Sequence, residues 1–153
     1  MKQLLIVSNC PAQSTLEIQH AVAAGAKHKE ITGVNVVVKE PLDTHVDDVL
    51  NADGLLLGTT ENFGAMSGLI KDFMERIYYP VLELKQGMPY ALFIKAGEDG
   101  QGAVSSLQRI ITGLRWQEIQ APIICTGPVS QPYLERATEL GMTMAAGLEA
   151  EIY

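Results

Sequence analysis

Residues 52–80 read ADGLLLGTTENFGAMSGLIKDFMERIYYP, and the fold follows from how this stretch is divided. The run GLLLG (54–58) is apolar without polar alternation, the pattern of a strand buried on both faces. Beyond it, Met66, Ile70, Phe73, Met74 and Ile77 recur at helical spacing, with Lys71, Asp72, Glu75 and Arg76 on the remaining surface. That is one apolar stripe on an amphipathic helix. Between the two lies GTTENFGAMSG (58–68), a polar segment bracketed by glycines. Strand, loop and helix in this order make a βα unit, and the question is whether the rest of the chain repeats it.

It does. LLIVS (4–8) precedes STLEIQHAVAAGA, where Ile18, Val22 and Ala26 share a helix face. Ser14 and Glu17 form an S-x-x-E capping box that places the start of this helix at Ser14. A β-branched run, GVNVVVK (33–39), is followed by a short acidic helix around residues 46–52. PYALFIKAG (89–97) is the fourth strand; Val104, Leu107, Ile111 and Leu114 mark the next helix; IQAPIICTG (119–127) is the fifth strand. The last helix starts near Pro132, a residue suited to a first turn, and is expected to carry Leu134, Ala137, Met144 and Leu148 inward. Five strands alternating with five helices predict an α/β chain, a single domain over residues 1–153. Consecutive parallel strands need a helical crossover of fixed hand, so the sheet is parallel and covered on both faces. At this size the common strand order is 2-1-3-4-5.

Composition narrows the function. The chain has 153 residues, 47% hydrophobic and 19% charged, enough for one core without staples. No apolar run approaches bilayer length and the amino-terminal residues lack a signal-peptide pattern, so the expected location is the cytoplasm, with no membrane partner. The formal charge is −7 and basic residues are scattered, which argues against a nucleic-acid partner. His20, His28 and His45 share no metal-ligand spacing, and no metal site is expected. Cys10 and Cys125 stand alone, as in a reducing compartment. They follow strands three positions apart, about 14 Å laterally, too far for a disulfide.

In an open parallel sheet of this order, a ligand binds beyond the carboxyl ends of the strands, where the chain direction switches between strands 1 and 3. The loops at that edge are SNCPAQST (8–15), GTTENFGAMSG (58–68), KAGEDGQGAV (95–104) and CTGPVSQP (125–132). SNCPAQ lacks the clustered acids of a phosphoacceptor site. A flat heterocycle with polar edges needs backbone donors and acceptors at fixed height, with glycine where a side chain would collide, and Gly58 and Gly64 suit that need. The plainer alternatives are a turn at Gly64, close helix-to-sheet packing at Gly68, and core positions for Phe63 and Met66.

The stretch Gly58, Thr59, Thr60, Glu61, Asn62, Phe63, Gly64, Ala65, Met66, Ser67, Gly68 resembles the G-[ST]-P-T-R-F-G-N-M-S-G loop of the FMN-binding flavodoxin-like proteins. Within them it is closest to the tryptophan-repressor-binding-protein-like NAD(P)H:quinone oxidoreductases. Seven positions agree, and Glu75-Arg76 stand where that family has an acid-arginine pair. The resemblance implies a flavodoxin-like three-layer sandwich and bound FMN. The first loop of that family reads S-x-T-G-x-T; here Cys10, Pro11, Ala12, Gln13, Ser14 and Thr15 correspond, and only the last threonine matches outright. Ser14 and Thr15 are implied to hold the phosphate through amides and hydroxyls at a helix start, which needs no lysine or arginine. Ser8 and Asn9 are substitutes for the missing hydroxyls.

By the same resemblance, Thr59, Thr60, Glu61, Asn62, Phe63 and Gly64 edge the flavin ring on one side, and Ala96, Gly97, Glu98, Asp99 and Gly100 on the other. Gly100 stands where a histidine is sought in these reductases, so no catalytic residue is assigned. The third loop has no aromatic, which leaves one face of the ring open for hydride transfer. The implied function is therefore an FMN-dependent NAD(P)H oxidoreductase that reduces quinones or related small acceptors in a ping-pong cycle. The alternatives are a flavodoxin-type carrier of single electrons and a flavin-free fold relative with a regulatory role. Relatives of this kind imply a homo-oligomer, dimer or tetramer, with Trp116, Tyr78 and Tyr79 as candidate interface aromatics.

Overall fold

The computed structural model describes residues Met1–Tyr153. Its elements are β1 (Lys2–Ser8), α1 (Gln13–Ala26), β2 (Val34–Lys39), α2 (Val46–Leu50), β3 (Gly54–Asn62), β4 (Ala65–Met66), α3 (Gly68–Val81), β5 (Pro89–Ala96), α4 (Gln101–Leu114), β6 (Gln117–Glu118), β7 (Ile123–Thr126) and α5 (Gln131–Glu149). A single 3₁₀ turn at Pro41–Asp43 precedes α2. The sheet runs β2-β1-β3-β5, with β6 and β7 both pairing with β5. Each of these pairings is parallel, so the order 2-1-3-4-5 predicted from the alternation of elements is the order found.

The sheet has seven strands, not five. Of the fifth strand expected over 119–127 only Ile123–Thr126 (β7) forms, and a short strand before it, β6 (Gln117–Glu118), also pairs with β5; Pro122 between them offers no N–H to the ladder. Ile119 still donates to the Tyr90 carbonyl at 3.0 Å, so pairing resumes on either side of the interruption. The other extra strand, β4, folds back antiparallel on β3.

Alternation along each strand fills two cores. Leu5, Val7, Leu55, Leu57, Leu92 and Ile94 face α3 and α4, together with Ile70, Phe73, Met74, Ile77, Leu107 and Ile111. Leu4, Ile6, Leu56, Ala91 and Phe93 face α1 and α5 with Ile18, Val22, Ala137, Leu140 and Met144. Both faces are buried, as the unbroken apolar strands require. On the second face α1 and α5 pack so closely that a β-carbon on Gly25 would lie 1.8 Å from the Thr138 carbonyl oxygen, and one on Gly141 1.9 Å from that of Val22.

Several expectations are corrected. Leu134 is only half-buried; Tyr133 takes the inward place one position earlier, its hydroxyl donating to the carbonyls of Ile94 and Ile123 at 3.3 Å. Met66 is buried but lies in β4, since α3 begins after Ser67, whose Oγ accepts from the Ile70 amide. Trp116 is a core residue against Tyr90, not an interface aromatic, whereas Tyr79 is largely exposed. Arg76 pairs with Asp72 at 2.8 Å and donates to the carbonyls of Thr44 and Pro41, tying α3 to the segment before α2. Cys10 and Cys125 are both free thiols. No helix is long and apolar enough to cross a membrane.

Candidate functional site at the carboxyl edge of the sheet

The polar segment after β3 is a hairpin. The strand continues four residues past Gly58, turns through Phe63 (φ 53°) and Gly64 (φ 74°), and returns as β4, with Asn62 opposite Ala65. A two-residue turn with both central φ angles positive matches the twist of its flanking strands. The hairpin is held at several points. Ser67 donates its amide to Thr59 Oγ1 at 2.9 Å, that hydroxyl donates to the Thr60 carbonyl at 2.9 Å, and the Met66 amide donates to Ser106 Oγ at 2.9 Å. Glu61 accepts the Ala103 amide at 3.1 Å in the first turn of α4. Gly102 abuts the Gly64 carbonyl, where a β-carbon would come within 2.1 Å. Thr59 and Glu61 therefore fix the hairpin to its surroundings, while Asn62 and Phe63 stand exposed at its tip.

The first loop is joined to this hairpin by Asn9, which is 8% exposed. Its amide donates to Thr60 Oγ1 at 3.3 Å and its carbonyl oxygen accepts from the Thr60 N–H at 3.4 Å. Ser8 is buried and accepts from Gln19 Nε2 at 2.7 Å. Cys10 lies 3.5 Å from Ser8 Oγ. Burial raises the Cys10 pKa, the Ser8 contact opposes this, and the Glu40 carboxylate adds to the rise. The net direction is upward, so the group is a neutral thiol of low reactivity.

The predicted capping box is not formed. Helix α1 begins at Gln13 with Ala12 as N-cap, and Thr15, not Ser14, makes the local bonds: its hydroxyl donates to the Ala12 carbonyl at 2.8 Å and accepts the Ala12 amide at 3.2 Å. Proline at position 11 and the Thr15 return contact set this earlier start. Alanine has no side-chain acceptor, so the amides of Gln13, Ser14 and Thr15 have no partner in the protein. The other long helices are supplied: Ser67 caps α3, Ser130 caps α5, and Asp99 and Glu61 accept amides of α4. The first-turn amides of α1 thus keep their capacity to bind an acceptor.

In the third loop Ala96 and Gly100 are buried, and Gly97, Glu98 and Asp99 are exposed. The glycines divide by cause. Gly58 lacks a side chain because the Phe93 ring occupies the space, 2.2 Å from where a β-carbon would be. Gly64 and Gly100 have φ near +74°, and Gly100 also meets Ile124. The need for glycine at 58 and 64 thus comes from internal packing and the turn. Gly97 has neither a positive φ nor any atom within 4 Å of a β-carbon, so the backbone there is open to approach from outside.

One residue at this edge was missed by sequence reasoning. Lys95, on β5 beside Thr60 of β3, is half-buried and lines a small cavity with Ser8, Asn9, Thr15, Gly58 and Phe93. Its signal was available: a lysine in place of an apolar residue within PYALFIKAG, at the carboxyl end of a central strand.

No family model matches the chain, and no curated protein does. Solved structures do. A flavodoxin from the domain Archaea superposes with TM-score 0.79 at 19% identity, covering 96% of this chain and 99% of that one. The fold is flavodoxin-like. A flavodoxin of Streptococcus pneumoniae TIGR4 gives TM-score 0.76 at 18% identity over 95% and 99% of the two chains. A flavodoxin, WrbA-like protein from Agrobacterium tumefaciens gives 0.74 at 15% identity over 98% of each. This flavodoxin-like chain therefore matches these proteins over nearly their whole length, and at such identities the match speaks for the fold.

Proposed function

We propose that the crevice between the first loop, the β3–β4 hairpin and Gly97 binds FMN, and that the protein is an FMN-dependent NAD(P)H oxidoreductase reducing quinones or related small acceptors. The residues fit the cofactor at both ends. Three first-turn amides of α1 lack acceptors, which suits a phosphate. The open backbone at Gly97 and the hairpin pinned to α4 suit the two edges of a flat ring. Ser14 and the amides of Gln13 to Thr15 would hold the phosphate. Asn9 and Thr60, bonded to each other, would keep the two loops at a fixed spacing, and the hairpin backbone and Gly97 would meet the ring.

When bound, FMN supplies the hydride and electron chemistry, and the chain supplies placement and access. The observation that carries the enzymatic reading is access. Phe63 is the only aromatic in these loops, and its side chain is fully exposed. The third loop carries no aromatic side chain to stack over the crevice, so a nicotinamide or quinone could lie against the ring at contact distance.

The test is an FMN titration of the purified protein followed by steady-state NADH and NADPH oxidation with a soluble quinone. Saturable FMN binding with turnover supports the proposal. FMN binding without turnover, with electrons taken up in two separate single-electron steps, supports the carrier reading, which the exposed acids Glu98 and Asp99 at the rim favour through docking to cationic partners. Absence of FMN binding overturns both.

A further inference from the structure

Among the half-buried lysine and arginine side chains, Lys95 alone has no protein partner. Lys2, Lys39, Lys71 and Arg76 each pair with a carboxylate, and Lys85 donates to the carbonyls of Leu50 and Ala52. Lys95 is half-buried and makes neither an ion pair nor a hydrogen bond. Its stem is covered while its ammonium, not fully buried, keeps three donors that no protein acceptor takes up.

Its direction follows from strand alternation. Phe93, two residues earlier, packs on the α1 and α5 side of the sheet, and Lys95 rises on the same side one layer nearer the carboxyl edge. There it shares a cavity with Ser8, Asn9 and Thr15, all buried, and with the bare backbone of Gly58. The cavity is about 10 Å³, room for a single water-sized group such as one oxygen of a larger anion whose remainder lies outside. Thr15 gives its hydroxyl proton to the Ala12 carbonyl, Ser8 accepts from Gln19 and keeps its own proton, and Lys95 is the one formal charge on this wall.

We propose that Lys95 is the cationic partner of a phosphomonoester held above Ser8, Asn9 and Thr15, and that it makes this site selective for phosphorylated over unphosphorylated flavin. The proposal rests on the flavin reading above. It also reverses the expectation that the phosphate is gripped without formal positive charge: a lysine from β5 stands in for the hydroxyls and glycine missing at Cys10, Ala12 and Gln13. A charge-assisted contact of this kind is stronger than a neutral one and contributes to FMN but not to riboflavin.

The experiment measures dissociation constants of FMN and riboflavin by flavin fluorescence for the full chain, Lys95→Gln and Lys95→Arg, and the melting temperature of each flavin-free protein with and without inorganic phosphate. The expected result is an FMN-over-riboflavin preference that falls about tenfold or more in Lys95→Gln and is largely kept in Lys95→Arg, with riboflavin affinity unchanged within about twofold. Phosphate is expected to raise the melting temperature of the unaltered chain and not that of Lys95→Gln. An equal preference in the unaltered chain and Lys95→Gln overturns the assignment. If neither flavin binds, the flavin reading fails by itself: phosphate stabilisation lost in Lys95→Gln still supports the lysine, and stabilisation that is absent or survives the substitution overturns it.

Discussion

Phe63 combines two costs. It is a bulky residue at φ 53°, a region that charges side-chain-bearing residues about 1–2 kcal/mol, and its ring is fully exposed. Asparagine is the usual occupant of the first central position in such a hairpin turn. Phe63→Asn is therefore expected to raise stability by about 0.5–1 kcal/mol, read as a higher urea midpoint at unchanged slope. Under the proposed function it also weakens FMN binding, because the only aromatic beside the crevice is lost, and flavin titration of the same variant checks this. A position that stability would not choose is what a ligand contact looks like in sequence. The residue-level lesson extends to the glycines. GTTENFGAMSG marks the site, but only coordinates show that Gly58 answers to Phe93 and that Gly64 answers to the turn, while Gly97 is left open.

At the scale of elements, the two-helix layer depends on closeness. Gly25 and Gly141 let the backbones of α1 and α5 touch, and α1 carries the first loop of the candidate site. Gly141→Ala is expected to destabilise the protein by about 3 kcal/mol, since the clash is with a backbone carbonyl that cannot rotate away. Gly68→Ala, in the first turn of α3 with no atom within 4 Å of the added carbon, is the control and should change stability by less than about 0.5 kcal/mol. Urea denaturation of both variants measures the contrast. Neither glycine stands out in the helical pattern. The apolar stripes of α1 and α5 were legible because burial imposes a period on the sequence. Which face of one helix meets which face of the other is a pairwise property that no single period records.

For the whole molecule, two buried phenols make stability depend on alkaline pH. Burial raises the pKa of Tyr90, and the Glu118 carboxylate, which accepts its hydroxyl at 3.2 Å, raises it further. Burial likewise raises that of Tyr133, with Cys125 adding and Arg136 opposing. In the unfolded chain both ionise near pH 10, whereas in the fold they stay protonated beyond it. Their contribution is thus complete below about pH 10 and declines as the pH rises further, because the unfolded state then gives up protons that the native state keeps. Urea midpoints between about pH 9 and 11 should fall, and the fall should be shallower in Tyr90→Phe and Tyr133→Phe.

The five principal strands, the helices between them, their alternation and the strand order were legible in the sequence alone, because two-sided burial and right-handed crossovers leave few ways to arrange such a pattern. The place of the candidate site at the carboxyl edge followed from that order. The tertiary structure decided that the polar loop is a hairpin clamped to α4, that α1 starts at Gln13 with free amides, and that Lys95 joins Ser8, Asn9 and Thr15 around one cavity. The clamp and the cavity depend on contacts between residues about 40 to 90 positions apart in the chain, and the start of α1 on a local competition that Thr15 wins over Ser14, so side-chain packing and hydrogen-bond competition choose the partner.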